Sequence, residues 1–383
     1  MARRTAAPGA RRLAAVALGC LLLAGCGGGY VPSGPFREVP QGQPPQVAPP
    51  PPSGPVPAPA DPSTPGTDDQ QDGDPNVVAT GLTVPTGLVV LPDGTAVVGE
   101  RDSGRLLQVF PDRSPARELM TLPGVDAAGD GGLLGLALSP TYAEDGLVYA
   151  YLSTATDNRV VRFPLGGTPN PVLTGIPRGE VGNGGGLLFG IDGTLYVGTG
   201  DTGNAALAAD PASLAGKVLA VDVFGQPVAP GGPVFSRGHR NVTALCQGAE
   251  QLYATDEGQT GADALDALTA GGDVGLGGAD PVLEVPAADG GLGGCAVTGP
   301  YVFLGAMDGR EVRVVELDGT GAPVGEPESF LPDEYGRLRT VVLDPQGALW
   351  ITTSNRDGIG TPEADDDRVL RVVPPASGSD SPL

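Results

Sequence analysis

The sequence predicts an all-β fold, a six-bladed β-propeller, and three observations carry that prediction. Six similar units follow one another from residue 87 to about residue 373, at intervals of about 45–57 residues, the period of propeller blades with loop insertions. Each unit sets short apolar strands on either side of Gly- or Pro-rich turns, as in LVVLPDGTAVVG and LLFGIDGTLYVG. Convincing amphipathic helices are scarce over the same span.

In chain order, residues 1–26 read as a targeting signal. Arg3, Arg4, Arg11 and Arg12 precede an apolar run from Leu13 to Leu23, a basic start and short greasy core unlike a transmembrane helix. The ending Leu23-Ala24-Gly25-Cys26 resembles a bacterial lipobox, which implies cleavage before Cys26 and diacylglycerol on its thiol. An ordinary signal peptide with an incidental cysteine is the other reading, and a cut before Cys20 would leave too short an apolar core. Residues 27–75 form a Pro-rich, disordered tether, a semi-rigid spacer ending in the acidic DDQQDGD. Lipid and spacer together would hold the domain of residues 76–374 off the extracytoplasmic face of the cell membrane.

Within that domain the blades begin at Gly87, Gly135, Gly186, Thr243, Gly294 and Thr340, and the last closes with DRVLRVV. The stretch NVVATGL, residues 77–83, supplies an outer strand that closes the ring against the last blade. Residues 375–383 read as a disordered tail.

Composition removes several functions. A net charge of −23, from 45 acids and 22 bases, argues against nucleic acid and against electrostatic docking on anionic lipid. Lys217 is the sole lysine and His239 the sole histidine, which all but excludes a zinc site of histidines and cysteines. With Cys20 leaving in the signal and Cys26 lipidated, Cys246 and Cys295 remain, an even pair that reads as a disulfide in an oxidising compartment. Two buried free thiols are the alternative.

Four motifs carry chemistry to weigh. GTGDTG, Gly198 to Gly203, matches a dinucleotide fingerprint, but Asp201 would oppose a pyrophosphate, Pro211 interrupts the helix and no second β-α-β unit exists. RGHRNVTAL places Arg240 and Asn241 beside His239, either as ligand contacts or as a blade-to-blade loop bonded to backbone. In YGRLRTV, Arg337 and Arg339 stand two apart and share a strand face, suiting an anionic ligand or salt bridges to local acids. EADDDRVL, residues 363–370, offers carboxylates to a cation but lacks calcium-loop spacing, and reads rather as a solvated loop. A hydrolytic triad has no nucleophile elbow to accompany the one histidine.

In order, the segments VPTGLVVLPDGTAVVGERDSGRL, GGLLGLALSPTY, GGGLLFGIDGTLYVGTGDTG, SLAGKVLAVD, GHRN, GRLRTVVLDPQGALWITTSN and DDDRVLRV resemble the glucose/sorbosone dehydrogenase family, the quinoprotein soluble aldose sugar dehydrogenases. The resemblance spans Val77 to about Val373 and implies a six-bladed propeller with pyrroloquinoline quinone (PQQ) in its top face, bridged to protein by Ca2+. It implies a histidine base that takes the proton of the sugar's anomeric hydroxyl while hydride passes to the quinone. By position, Arg240, Asn241, Arg337 and Arg339 match cofactor contacts. Gly258 and Gln259 match backbone carbonyls on the bridging calcium, and Asp263 opens the second calcium segment.

Departures accompany the match. The family's His-x-Gly-Gly-Arg-Leu is GNGGGL here, with Gly182 at the base and Gly186 at the arginine. Asp-Glu-x-Asn becomes Asp263-Ala264-Leu265-Asp266, and Asn-Tyr-Gly-Trp becomes Asp273-Val274-Gly275-Leu276. Lys217 belongs to the GKVL strand, so a cofactor-pairing lysine elsewhere is missing. Loss of a general base costs on the order of 10²–10⁴ in rate, with Glu180, two residues upstream, as the conceivable rescue. Two functions therefore stand: PQQ-dependent oxidation of an aldose or related alcohol by a modified mechanism, or a non-catalytic propeller that binds a carbohydrate, a cell-wall component or a protein partner.

Overall fold

The computed structural model describes residues 73–258, 261–275 and 280–374. The signal with Cys26, the tether, Gln259, Leu276 and the tail lie outside the described residues. Among those described, no helix is long and apolar enough to cross a membrane.

Six sheets form in sequence order, each starting from a strand within two residues of an expected blade start. These inner strands are Pro85–Val90, Leu133–Leu138, Leu187–Phe189, Val242–Gln247, Leu292–Thr298 and Leu338–Leu343. Each packs on the next, and the sixth packs on the first, so they ring a central channel. The blades are antiparallel four-stranded sheets, except that the third gains Gly272–Asp273 as a parallel edge strand beside Val234–Arg237. Hairpin chemistry sets the register. In the first blade Asp93 Oδ1 accepts the Thr95 amide at 2.9 Å while Gly94 takes φ +84°, and Asp192 and Gly193 repeat that turn in the third.

The core is divided among the seams. Leu106, Leu133 and Phe163 fill the seam between the first two blades, Tyr149, Leu195 and Val221 the next, and Leu265, Leu304 and Val302 that between the fourth and fifth. Trp350, fully buried between the last blade and the first, donates its indole N–H to Asp344 Oδ2 at 3.1 Å. Burial of such a side chain stabilises by roughly 3 kcal/mol.

Two further devices hold the ring. Val77–Ala79 pairs antiparallel with Val369–Val372, so the first strand of the domain completes the last blade as expected. Cys246 and Cys295, on the inner strands of neighbouring blades, form the expected disulfide, with Cα atoms 5.7 Å apart.

One expectation is corrected here. EADDDRVL is solvated only at Glu363, Ala364 and Asp365, because Asp366 and Asp367 are buried. Asp367 Oδ2 accepts the Val84 amide at 3.0 Å, its Oδ1 accepts the Asn355 amide at 2.6 Å, and burial raises its pKa. The acid cluster is a clasp at the ring's seam.

Candidate functional site

Chain entering each inner strand and chain leaving each second strand gather at one end of the channel, where six blades deliver loops to a common mouth. The segments preceding Leu133, Leu187, Val242 and Leu338 contribute Asp130, Gly182, Asn241 and Arg337; Glu257 and Gly258 follow the second strand of the fourth blade.

Arg339 lies one residue inside the sixth inner strand and is half-buried. Burial pushes its pKa below the ordinary value, against the pull of Glu257, and Arg101 and Arg337 push the same way as burial. Among the described residues its guanidinium forms no salt bridge; its Nη1 lies 3.7 Å from Met307 Sδ. Backbone closeness fixes its place: a Cβ on Gly305 would fall 2.3 Å from the Arg339 carbonyl oxygen, so only glycine lets the blades meet there.

Arg337 has a different fate. Its Nε donates to Asp357 at 2.8 Å and its Nη1 to Asp308. Burial opposes its charge, but the two carboxylates outweigh burial and hold its pKa above the ordinary value. The pair that shares a strand face in sequence thus divides into one neutralised arginine and one without an ionic partner.

Asn241 joins two loops. Its Oδ1 accepts the Gly184 amide at 2.8 Å, its Nδ2 donates to Glu257 Oε2 at 2.8 Å, and its own amide is held by Asp256 at 2.7 Å. Glu257 is a site residue that the sequence reading passed over. Its pKa is raised by burial and by Asp263 and Asp130, and lowered by Arg339 and Asn241. Nothing in TDEGQTG marks it, because its neighbours come from other blades.

Arg240 stands 46% exposed, its Nε 3.7 Å from Asp201. Asp201 is buried and caps its own loop through the Gly203 amide at 2.7 Å, and the helix after GTGDTG is only Ala205–Ala209. His239 is fully buried, with Nε2 at 2.8 Å from Ser236 Oγ and Nδ1 at 3.2 Å from Asp256. Lys217 is likewise buried, its Nζ donating to the carbonyls of Leu207, Ala208 and Ala215. Both are internal supports and neither opens on the mouth.

Of the expected metal residues, Gly258 and Asp263 meet, while Gln259 lies outside the described residues. Asp263 Oδ1 accepts the Gly258 amide at 2.8 Å and its Oδ2 the Leu292 amide at 2.9 Å, with burial raising its pKa. At the expected base, Gly182 adopts φ +63°. At the expected arginine, a Cβ on Gly186 would come within 3.2 Å of Ala244 and Leu245 in the next blade, so a side chain there requires that blade to shift by a few tenths of an ångström. Glu180 has an exposed side chain, and it is its carbonyl that makes contacts.

A model of the family described as Glucose / Sorbosone dehydrogenase matches residues 82–279. Among solved structures, the fold is similar to the PQQ-bound aldose sugar dehydrogenase of Streptomyces coelicolor, 40% identical, with TM-score 0.74 over 78% of this chain and 96% of that one. It is also similar to a putative oxidoreductase (glucose dehydrogenase) from Thermus thermophilus, 34% identical, with TM-score 0.71 over 77% and 98%. Quinoprotein glucose dehydrogenase B of Acinetobacter calcoaceticus is 24% identical over 250 residues, 53% of this chain; the match spans about half of that relative, 52%.

Proposed function

The chain belongs to the glucose/sorbosone dehydrogenase family, and from that premise we propose that its channel mouth holds PQQ and that the protein oxidises an aldose or related alcohol. The observation that carries this reading is Arg339. Its half-buried guanidinium feels the pull of Glu257 but forms no salt bridge within 4 Å among the described residues, and such a charge is costly to bury. A quinone bearing carboxylates matches that demand in charge and in donor geometry.

The cofactor supplies a two-electron acceptor for hydride. This chain's residues do the rest. Arg339 anchors an anionic group, and Asn241 ties the third and fourth blades and orients Glu257. Arg337 is spent on Asp308 and Asp357 and fixes the wall behind Arg339. Arg240, half exposed and 3.7 Å from Asp201, can reach a ligand from the rim. Calcium belongs to the finer part of this reading: the Gly258 carbonyl and the Asp263 carboxylate offer the oxygen donors that a hard cation takes. Membrane attachment through Cys26 is proposed from the Leu-Ala-Gly-Cys ending alone, and mass spectrometry of the mature N-terminus tests it.

Titration of the protein with PQQ, with and without calcium, followed by absorbance, tests the reading. Saturable binding is expected, weakened about 30–100-fold in Arg339→Met by loss of a charge-assisted bond. No binding at tens of micromolar cofactor overturns it. Gly182 favours a second reading, a non-catalytic propeller whose mouth binds carbohydrate, a cell-wall glycan or a protein. Cofactor binding without reduction by any aldose would select it.

A further inference from the structure

We propose that Asp130 is the proton acceptor of this site, standing in space where Gly182 leaves the chain without a base. The inference rests on the oxidoreductase reading above and assigns a residue that the family motif does not supply.

Two loops are clasped at the mouth, the one entering the second blade and the one entering the third. Arg178 Nη2 donates to Asp126 Oδ1 at 3.0 Å and to the Ala128 carbonyl at 3.0 Å. The Asp130 amide donates to the Glu180 carbonyl at 2.8 Å. A Cβ on Gly129 would lie 2.2 Å from that same oxygen, so the loops meet backbone to backbone. The clasp delivers the Asp130 side chain to the third blade, where its Oδ2 accepts the Gly182 amide at 3.4 Å. A carboxylate from one blade thus sits against the residue where the family places its histidine.

Apart from Glu180, whose side chain is exposed and joins the clasp only through its carbonyl, the other ionisable groups nearby are committed. Asp308 and Asp357 neutralise Arg337, Asp263 caps two amides, Asp201 caps its own loop, and Glu257 is held by Asn241 before Arg339. His239 is sealed in the core. Asp130 is exposed to the mouth, and among the described residues its Oδ1 accepts no hydrogen bond, which leaves it lone pairs for a substrate hydroxyl. In the reaction the anomeric O–H bond breaks and its proton passes to the Asp130 carboxylate. With the quinone bound as two-electron oxidant, the anomeric C–H bond would break with its electron pair, the quinone would take up that hydride, and the sugar carbon would become a carbonyl. Water then takes the proton from Asp130.

The test uses the full chain loaded with PQQ, with glucose leading a panel of aldoses and bound-cofactor reduction followed by stopped-flow absorbance. Asp130→Asn is expected to slow reduction by about 10²–10⁴ with cofactor affinity within about twofold of wild type. Asp130→Glu should keep part of the rate, added formate should restore part of it to Asp130→Ala, and Glu180→Gln should react as wild type. Without cofactor, Asp130→Ala should speed hydrogen exchange at the Gly182 amide. Wild-type rates in Asp130→Asn, an Asp130→Ala variant deaf to formate, or unchanged exchange at Gly182 would each overturn the assignment while the oxidoreductase reading stands. A wild-type protein that binds no PQQ, or whose bound PQQ no aldose reduces, overturns that reading and this inference with it.

Discussion

Arg337 and Arg339 enter the mouth on one short segment and end in opposite electrostatic states. The difference lies in Asp308 and Asp357, which reach Arg337 from the fifth blade and from the loop after the second strand of the sixth. Sequence spacing shows that two arginines share a face; it does not show which acids other turns will bring. Arg337→Ala should therefore destabilise the fold by about 3–5 kcal/mol, as expected when one partner of a buried ion pair is removed, read as the midpoint of a denaturant titration. Arg339→Ala should leave that midpoint unchanged or raise it. Asp266 gives a pH signature. Burial and the nearby Asp256 raise its pKa from the ordinary 3.8 to about 7, against the pull of His239. Between those pH values the native state holds a proton that the unfolded chain has lost, so this residue's contribution favours the fold in acid and declines as pH rises to about 7. Asp266→Asn should flatten that decline and raise Tm at pH 8, measured by calorimetry.

At the scale of strands and turns, the blades were legible because each repeats a local rule. The Asp93-Gly94 and Asp192-Gly193 turns, and Asp344 accepting the Gln346 and Ala348 amides ahead of Gly347, are hairpins that a reader can mark without coordinates. The DDDR segment failed that test because Asp367 binds the amides of Val84 and Asn355, residues no local window contains. Asp367→Ala should unpair buried amides on both sides of the seam and cost about 2–4 kcal/mol. The disulfide was legible by counting cysteines, though not its location between two inner strands. It closes a 49-residue separation, and replacing both cysteines with serine should cost about 2–4 kcal/mol, seen as a lower Tm in non-reducing buffer.

For the molecule as a whole, the ring architecture was readable from the six-fold period, and the mouth was not. Asp130, Gly182, Asn241 and Glu257 come from loops of three successive blades and Arg339 from the sixth inner strand, and only the packing of blades around the channel makes them neighbours. Removing the chain through Thr80 deletes the strand that completes the sixth blade. Such a truncation should expose the edge of Val369–Val372, lower Tm and promote aggregation, measured by calorimetry and light scattering.

That closing strand also sets a clock. Val77–Ala79 finds its partner at Val369–Val372, about 290 residues later in the chain. At about 5–20 residues per second of synthesis, the first strand waits roughly 15–60 s before the last exists. Through that interval five blades can condense around their own seams while the nascent arc keeps an unsatisfied rim at each end. The protein's most vulnerable moment is thus written into its topology, and any holdase that shields a lone amino-terminal strand would act before the final blade emerges.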